Sequence, residues 1–236
     1  MSKRQELRVK RIKQGRIRRF LVIGGVMMMA IAVALIIILP NLPKPAGEIV
    51  QTTPGAHSQV KSASGRELGD PNAPLVIDVW EDFQCPSCKR FSEGTEVQII
   101  DNLVSTGKVR YAFHVLAFIG PESVQAANAA MCANEQGRFW DYKSTLFANW
   151  NGENEGAFAD DRLIAFAQSI SLDMEKFRAC FGENRYQAEI EKDKALGDQY
   201  GVYGTPSVLL NGEIINPDHV PSFDEISKAV EAALKK

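Results

Sequence analysis

The chain has 236 residues, 27 Lys and Arg against 29 Asp and Glu, a formal net charge of −2 and 45% hydrophobic residues. The near balance conceals an asymmetry: residues 1–19 carry nine Lys or Arg against Glu6 alone, which leaves 18 basic against 28 acidic residues beyond them, about +8 on the tail and about −10 on the remainder. An acidic remainder without a basic patch excludes an electrostatic footprint for nucleic acid.

Directly after the basic tail, Phe20 to Leu39 reads FLVIGGVMMMAIAVALIIIL and contains no charged residue. A helix over those residues is roughly 30 Å long, about the thickness of a hydrocarbon core. The tail should remain cytoplasmic, so residues after Pro40 are expected outside the cytoplasm. The basic tail could also meet anionic headgroups, but the topology role suffices. A cleaved signal peptide is the alternative. It fits less well, because the apolar run is long and NLPKPAGE offers no A-x-A-like site. No lipidation cysteine follows, since the first cysteine is Cys85. From 40 to 68 the chain is rich in Pro, Gly, Ser and Thr and reads as an extended tether. The remainder, roughly 165 residues, is enough for one domain with its own core.

Outside the cytoplasm, cysteines form stable disulfides. The four here, Cys85, Cys88, Cys132 and Cys180, allow three pairings. Adjacent spacing favours Cys85 with Cys88 and leaves Cys132 with Cys180. A zinc site is the rival, but His57, His114 and His219 show no ligand spacing and no second Cys-x-x-Cys exists. His114 lies in an apolar, strand-like run and reads as a packed residue. His57 falls in the tether and His219 in a loop, neither with an assigned role. No cofactor-binding motif is evident.

The local pattern around VWEDFQCPSCKRF (79–91) gives the first pair its chemistry. APLVIDVW (73–80) is apolar and β-branched enough for a buried strand. From Ser87 a helical pattern takes over, with Phe91, Val97, Ile100 and Val104 at helical spacings and Gly107 as a stop. Pro86 suits the first helical position, where its missing N–H costs nothing. Cys85 then faces the unpaired N–H groups and positive dipole end of that helix, which lower a thiol pKa. Cys88, one turn inside, should be more buried. Cys85 is therefore the expected nucleophile and Cys88 the resolving cysteine. A purely structural bridge would close a tiny loop and stabilise little.

Further along, residues 122–148 are Ala-rich, proline-free and helical in spacing, and 158–170, 173–181 and 184–199 predict more helices. Phe139, Trp140, Phe147 and Trp150 read as core and cap packing of this bundle. A Cys132–Cys180 bridge would join two of its parts and contribute about 4 kcal/mol in the chain-entropy model. Two free buried cysteines packing as small hydrophobes are the alternative. GVYGTPSVLLNGEII (201–215) predicts a β-hairpin turning at Asn211-Gly212, with Thr205-Pro206 opening its first strand.

GDPNAPLVI (69–77), EDFQCPSC (81–88), the helical stretch 125–149 and GTPSVLLNG (204–212), in this order, resemble the DsbA-like thiol:disulfide oxidoreductases of the membrane-anchored bacterial branch of the thioredoxin superfamily. The likeness covers 66–236. It implies an α/β thioredoxin fold over 69–236 with a helical insertion at about 117–199, preceded by one transmembrane helix. It further implies that Pro206 is cis and packs against the active-site disulfide, and that Thr205 lines the groove for a substrate chain. One departure is plain. Such proteins often carry a buried acid six residues before the first cysteine, where this chain has Val79. Asp78 should point to the opposite strand face, and Glu81 and Asp82 are expected near the turn and exposed, with no proton role.

Pro86 and Ser87 should tune the redox pair, the Ser87 hydroxyl as a possible donor. Glu81 and Asp82 would oppose a thiolate and make a milder oxidant. The compartment favours a dithiol oxidase acting on unfolded or reduced secreted proteins. The resemblance implies recharging by a quinone-linked membrane partner of the DsbB or VKOR type. A reductase or isomerase of the same fold and a redox-inert binding module with a structural disulfide are the alternatives.

Overall fold

The computed structural model describes residues 23–34, 48–52, 60 and 63–235. Two compact units divide the chain at Pro45 and Ala46. In the first, residues 23–34 form a helix, α1, whose apolar side chains are exposed, Met28 by 72% and Val26 by 64%. Among the described residues no helix is long and apolar enough to cross a membrane. The rest of the span expected over 20–39, and the basic tail, lie outside the described residues.

The second unit is built on a six-stranded sheet of order β1-β2-β4-β3-β5-β6. Its centre is β3 (Leu75–Glu81) parallel to β4 (Val109–Val115), with Val79 beside Phe113 and Trp80 beside His114. Parallel neighbours need a crossover. Here α2 (Pro86–Glu93), α3 (Thr95–Ile99) and a π-helical turn (Ile100–Val104) supply it. The single helix expected from Ser87 is thus broken at Gly94, whose φ of −127° and ψ of −80° are not helical. Gly107, at φ +72°, ends it as the sequence indicates.

β1 (Ala63–Ser64) and β2 (Glu67–Leu68) extend the sheet beyond β4, and Leu68 is fully buried. The tether expected through Leu68 therefore ends before Ala63. Two-residue strands show no alternation of their own, and their Ser- and Gly-containing composition matches a linker. On the other side, β5 (Ser207–Leu210) pairs antiparallel with β3 and turns into β6 (Glu213–Ile214). Asn211 and Gly212 take the left-handed conformations, φ +51° and +83°, that a tight hairpin turn requires. The C-terminal α9 (Phe223–Ala233) starts at a Ser222–Glu225 capping box.

Between β4 and β5 lies the helical insertion: α4 (Pro121–Asn134), α5 (Phe139–Ala148), α6 (Asp160–Ser169), α7 (Met174–Gly182) and α8 (Gln187–Gln199). The stretch 122–148 is two helices, separated at Gly137 with φ +67°. Ala126, Ala127, Ala129, Ala130 and Ala133 are all fully buried. Such small side chains let α5, α6, α7 and α8 all pack on α4. A Cys132–Cys180 disulfide, S–S 1.99 Å, pins α4 to α7.

The central strands present two different faces. Val79, Glu81, Tyr111 and Phe113 point into the main core. Asp78, Trp80 and His114 face α8. The Trp80 and His114 rings stack at 4.2 Å, the indole N–H donates to Asp193 O at 3.0 Å, and His114 Nε2 lies 2.9 Å from Asp78 Oδ1. His114 is thus packed, as its run suggests, and ion-paired as well.

Candidate active site

β3 ends at Glu81, and four residues later the chain enters α2. Asp82 makes that short connection possible. Its buried carboxylate accepts from Gln84 N and Ser123 Oγ on one oxygen, and from Phe118 N and Ile119 N on the other, at 2.7–3.0 Å. Its carbonyl accepts from Cys85 N at 3.0 Å. Cys85 is the N-cap residue, φ −73° and ψ 121°, and Pro86 opens the helix. Cys85 is 7% exposed; Cys88, one turn in, is fully buried. Both are free thiols.

Opposite them the Thr205–Pro206 peptide bond is cis, and the Cys85 thiol donates to Thr205 O at 3.4 Å. A groove of 530 Å³ runs past this loop, lined by Tyr203, Thr205, Pro206, Pro217, His219 and Pro221. Tyr203 is 83% exposed. Thr205, whose carbonyl meets the Cys85 sulfur, and Pro206 line this groove, and His219, unassigned from sequence, forms part of its wall.

The two thiols differ in acidity. A hydrogen bond from Cys88 lowers the Cys85 pKa most, and Thr205 and the backbone N–H groups of Cys88 and Ser87 add to it against the cost of burial, giving about 6. Burial, the bond to Cys85 and the charge of Glu81 push Cys88 well above an ordinary thiol. The Ser87 hydroxyl accepts from Arg90 Nη2 at 2.8 Å, and it is the Ser87 backbone N–H that lowers the Cys85 pKa.

Residues 61–232 match the family model described as Thioredoxin. The chain belongs to the thioredoxin family. Within it, the probable disulfide bond formation protein D of Bacillus cereus is 27% identical over 175 residues, 72% of this chain and 79% of that protein. The crystal structure of oxidised BdbD from Bacillus subtilis superposes with a TM-score of 0.67 at 25% identity, covering 80% of this chain and 100% of that one. The Chlamydia trachomatis DsbA structure has the same fold, TM-score 0.63 at 20% identity over 79% and 97% of the two chains. This is a DsbA-like thiol:disulfide oxidoreductase, with a thioredoxin-like α/β fold and a helical insertion.

The thioredoxin fold also brings in groups that the sequence does not reveal. Glu81 and Asp82, expected to be exposed, are fully buried. β3 runs one residue beyond Trp80, and strand alternation puts Glu81 on the same inward face as Val79. Lys143 from α5, also fully buried, reaches Glu96 Oε2 on α3 at 2.5 Å and Glu81 Oε2 at 3.4 Å. Its ammonium lies over the Phe113 and Phe147 rings, 5.2 Å from each centroid. Burial raises the Glu81 pKa to about 8, against the pull of Lys143 and with the repulsion of Glu96. Burial by itself would lower Lys143, but Glu81 and Glu96 hold its pKa above the usual range. This carboxyl lies near enough to both thiols for its charge to act on them. The signal available for Glu81 was the strand parity. Nothing local marks Lys143, which reads as the exposed side of an amphipathic helix.

Gln84 is held just as firmly. Its side-chain amide donates to Ser123 Oγ at 2.9 Å and accepts from Asn154 N at 2.6 Å. Its carbonyl accepts from the Trp150 indole at 2.8 Å. Phe139, Trp140 and Phe147 pack in the core and Trp150 packs against it, as expected, and the Trp150 indole also bonds the redox loop.

Proposed function

We propose that the chain is an extracytoplasmic, membrane-anchored dithiol oxidase that introduces disulfides into secreted or surface proteins, with Cys85 as nucleophile and Cys88 as resolving cysteine. The observation that carries this is the asymmetric pair: an acidic Cys85 at the tip of α2, bonded to the cis-Pro206 loop that lines a groove, and a fully buried Cys88 of high pKa. In the oxidised protein a substrate thiolate attacks Cys85 Sγ. The Cys85–Cys88 bond breaks, a substrate–Cys85 mixed disulfide forms, and the Cys88 sulfur leaves and takes a proton, with Glu81 as the donor. A second substrate thiolate then attacks the substrate sulfur of the mixed disulfide and expels Cys85 as a thiolate. Two substrate thiols have become a disulfide and the protein holds both electrons as a dithiol. An electron acceptor must remove them, and a quinone-linked membrane partner of the DsbB or VKOR type fits a site held near a membrane.

An acidic Cys85 favours the reduced form and hence an oxidising couple. Glu81, with a pKa of about 8, is largely protonated at neutral pH and opposes the thiolate little. The location rests on the basic tail and the uncharged run 20–39, whose described part is an exposed apolar helix.

The test is oxidative refolding of reduced, unfolded ribonuclease by the full chain. Renaturation marks an oxidase, rescue of scrambled ribonuclease an isomerase, and no turnover a redox-inert binding module. Cys85→Ala is expected to abolish transfer, and Cys88→Ala to accumulate substrate mixed disulfides. Trapping by Cys85→Ala instead would invert the two roles.

A further inference from the structure

The segment before the sheet is not free where it passes α5. Val50 N donates to Asn149 Oδ1 at 2.8 Å and Val50 O accepts from Asn149 Nδ2 at 3.0 Å. One side-chain amide thus pairs with one residue of backbone as a neighbouring strand would. The other amide hydrogen of Asn149 goes to Thr145 O at 2.9 Å, so this buried side chain is fully engaged. Thr52 Oγ1 lies 3.1 Å from Thr145 Oγ1, and Ile49 packs against the core.

The residue after Asn149 is Trp150, whose indole holds Gln84 O. From α2 itself, Lys89 Nζ donates to Phe147 O at 2.8 Å. The end of α5 is therefore a joint. One side binds residues 49–52, and the other binds the peptide that enters the redox helix.

We propose that residues 49–52 form a strap and Trp150 is a positioning residue, together holding the Gln84–Cys85 peptide so that the Cys85 sulfur stays aimed at the N-terminus of α2. The Gln84–Cys85 peptide is held at its carbonyl by the Trp150 indole and at its N–H by Asp82 O at 3.0 Å. The N–H groups of Ser87 and Cys88 serve the sulfur only while the Cys85 backbone keeps its extended conformation, and the groups on its amino side are what hold it. Losing the Trp150 bond leaves that peptide held by the Cys85 N–H to Asp82 O bond alone, so that its carbonyl side can tilt. Losing the strap loosens Asn149 and so the indole beside it. The other groups facing the sulfur are Cys88 on α2, Glu81 on β3 backed by Lys143 on α5 and Glu96 on α3, and Thr205, and neither Val50 nor Trp150 bonds any of them.

The inference rests on Cys85 being the acidic nucleophile. Its test is the pH profile of Cys85 alkylation by iodoacetamide in the reduced full-length chain, with circular dichroism as the check on folding. Trp150→Phe keeps the ring and removes the donor. Asn149→Ala and Val50→Pro release the strap, the latter from a position far from the redox helix. Trp150→Phe should raise the Cys85 midpoint, its acid dissociation constant falling about threefold to tenfold, the scale of one net hydrogen bond. The strap variants should move it the same way by less, and Asn149→Ala added to Trp150→Phe should add nothing. A midpoint unmoved by Asn149→Ala and Val50→Pro overturns the strap, and one unmoved by Trp150→Phe overturns the positioning role, with the proposed oxidase standing in both cases. A wild-type Cys85 that titrates like an ordinary thiol overturns the nucleophile assignment and this inference with it.

Discussion

A buried cluster of one basic and two acidic side chains acts on the redox pair through Glu81, whose charge raises the Cys88 pKa. Glu81, Glu96 and Lys143 are each fully buried, and the ammonium serves both carboxylates. Removing one member of such a cluster is costlier than never having built it, because the others stay buried without their counter-charge. Lys143→Met is expected to cost about 3–5 kcal/mol at pH 7, read from urea unfolding. The loss should shrink at acid pH, where the carboxylates neutralise themselves. Because the folded pKa of Glu81 is raised from 4.5 to about 8, the native state binds the extra proton between these values. Its contribution to stability is present below about 4.5 and is lost as pH rises through about 8. Glu81→Gln should flatten that slope; an unchanged slope would show that Glu81 does not titrate there.

At the scale of elements, the two faces of β3 and β4 divide the work. One face holds the redox side and its charges. The other is closed by α8 through Trp80, His114, Asp78 and Asp193, with Arg66 from the β1–β2 turn paired to Asp193 and to Glu189 at 3.0 Å. Burial by itself would lower the His114 pKa, but Asp193 and Asp78 raise it above 6.5. The stabilisation from protonated His114 is therefore full below the unfolded value and fades as pH climbs through the raised folded one. His114→Gln should destabilise the protein more at pH 6 than at pH 9, measured by denaturant midpoints. Equal losses at both would mean that the imidazole works by packing alone. The Cys132–Cys180 bridge closes a loop with a sequence separation of 48, which the chain-entropy model values at about 4 kcal/mol. It ties α4 to α7 far along the chain from the redox pair.

For the molecule as a whole, the direction of electron flow is a property of the couple and its compartment. The acidic Cys85 and largely neutral Glu81 favour an oxidising couple. Equilibration of the Cys85–Cys88 pair with glutathione is expected to give a potential at or above the extracytoplasmic poise of about −200 mV. A value well below it would make the protein a reductase. The sheet starting at Ala63 and the strap at 49–52 also make the second unit larger than the region expected from Gly69 onward.

Much was legible in the residues themselves. Pro86 after Cys85 marks a helix start, Asn211-Gly212 marks a hairpin, and four cysteines with one close pair divide naturally into two sets. Each of these depends on local backbone preference or on spacing along a few residues, which a chain carries before it folds. What only the tertiary structure decided are meetings between segments distant in sequence: Lys143 beneath Glu81, Trp150 on Gln84, Asn149 on Val50. Burial turned Glu81 from an apparent surface acid into a group that titrates near neutrality. No local pattern encodes that, because desolvation comes from what the rest of the chain packs around the carboxyl.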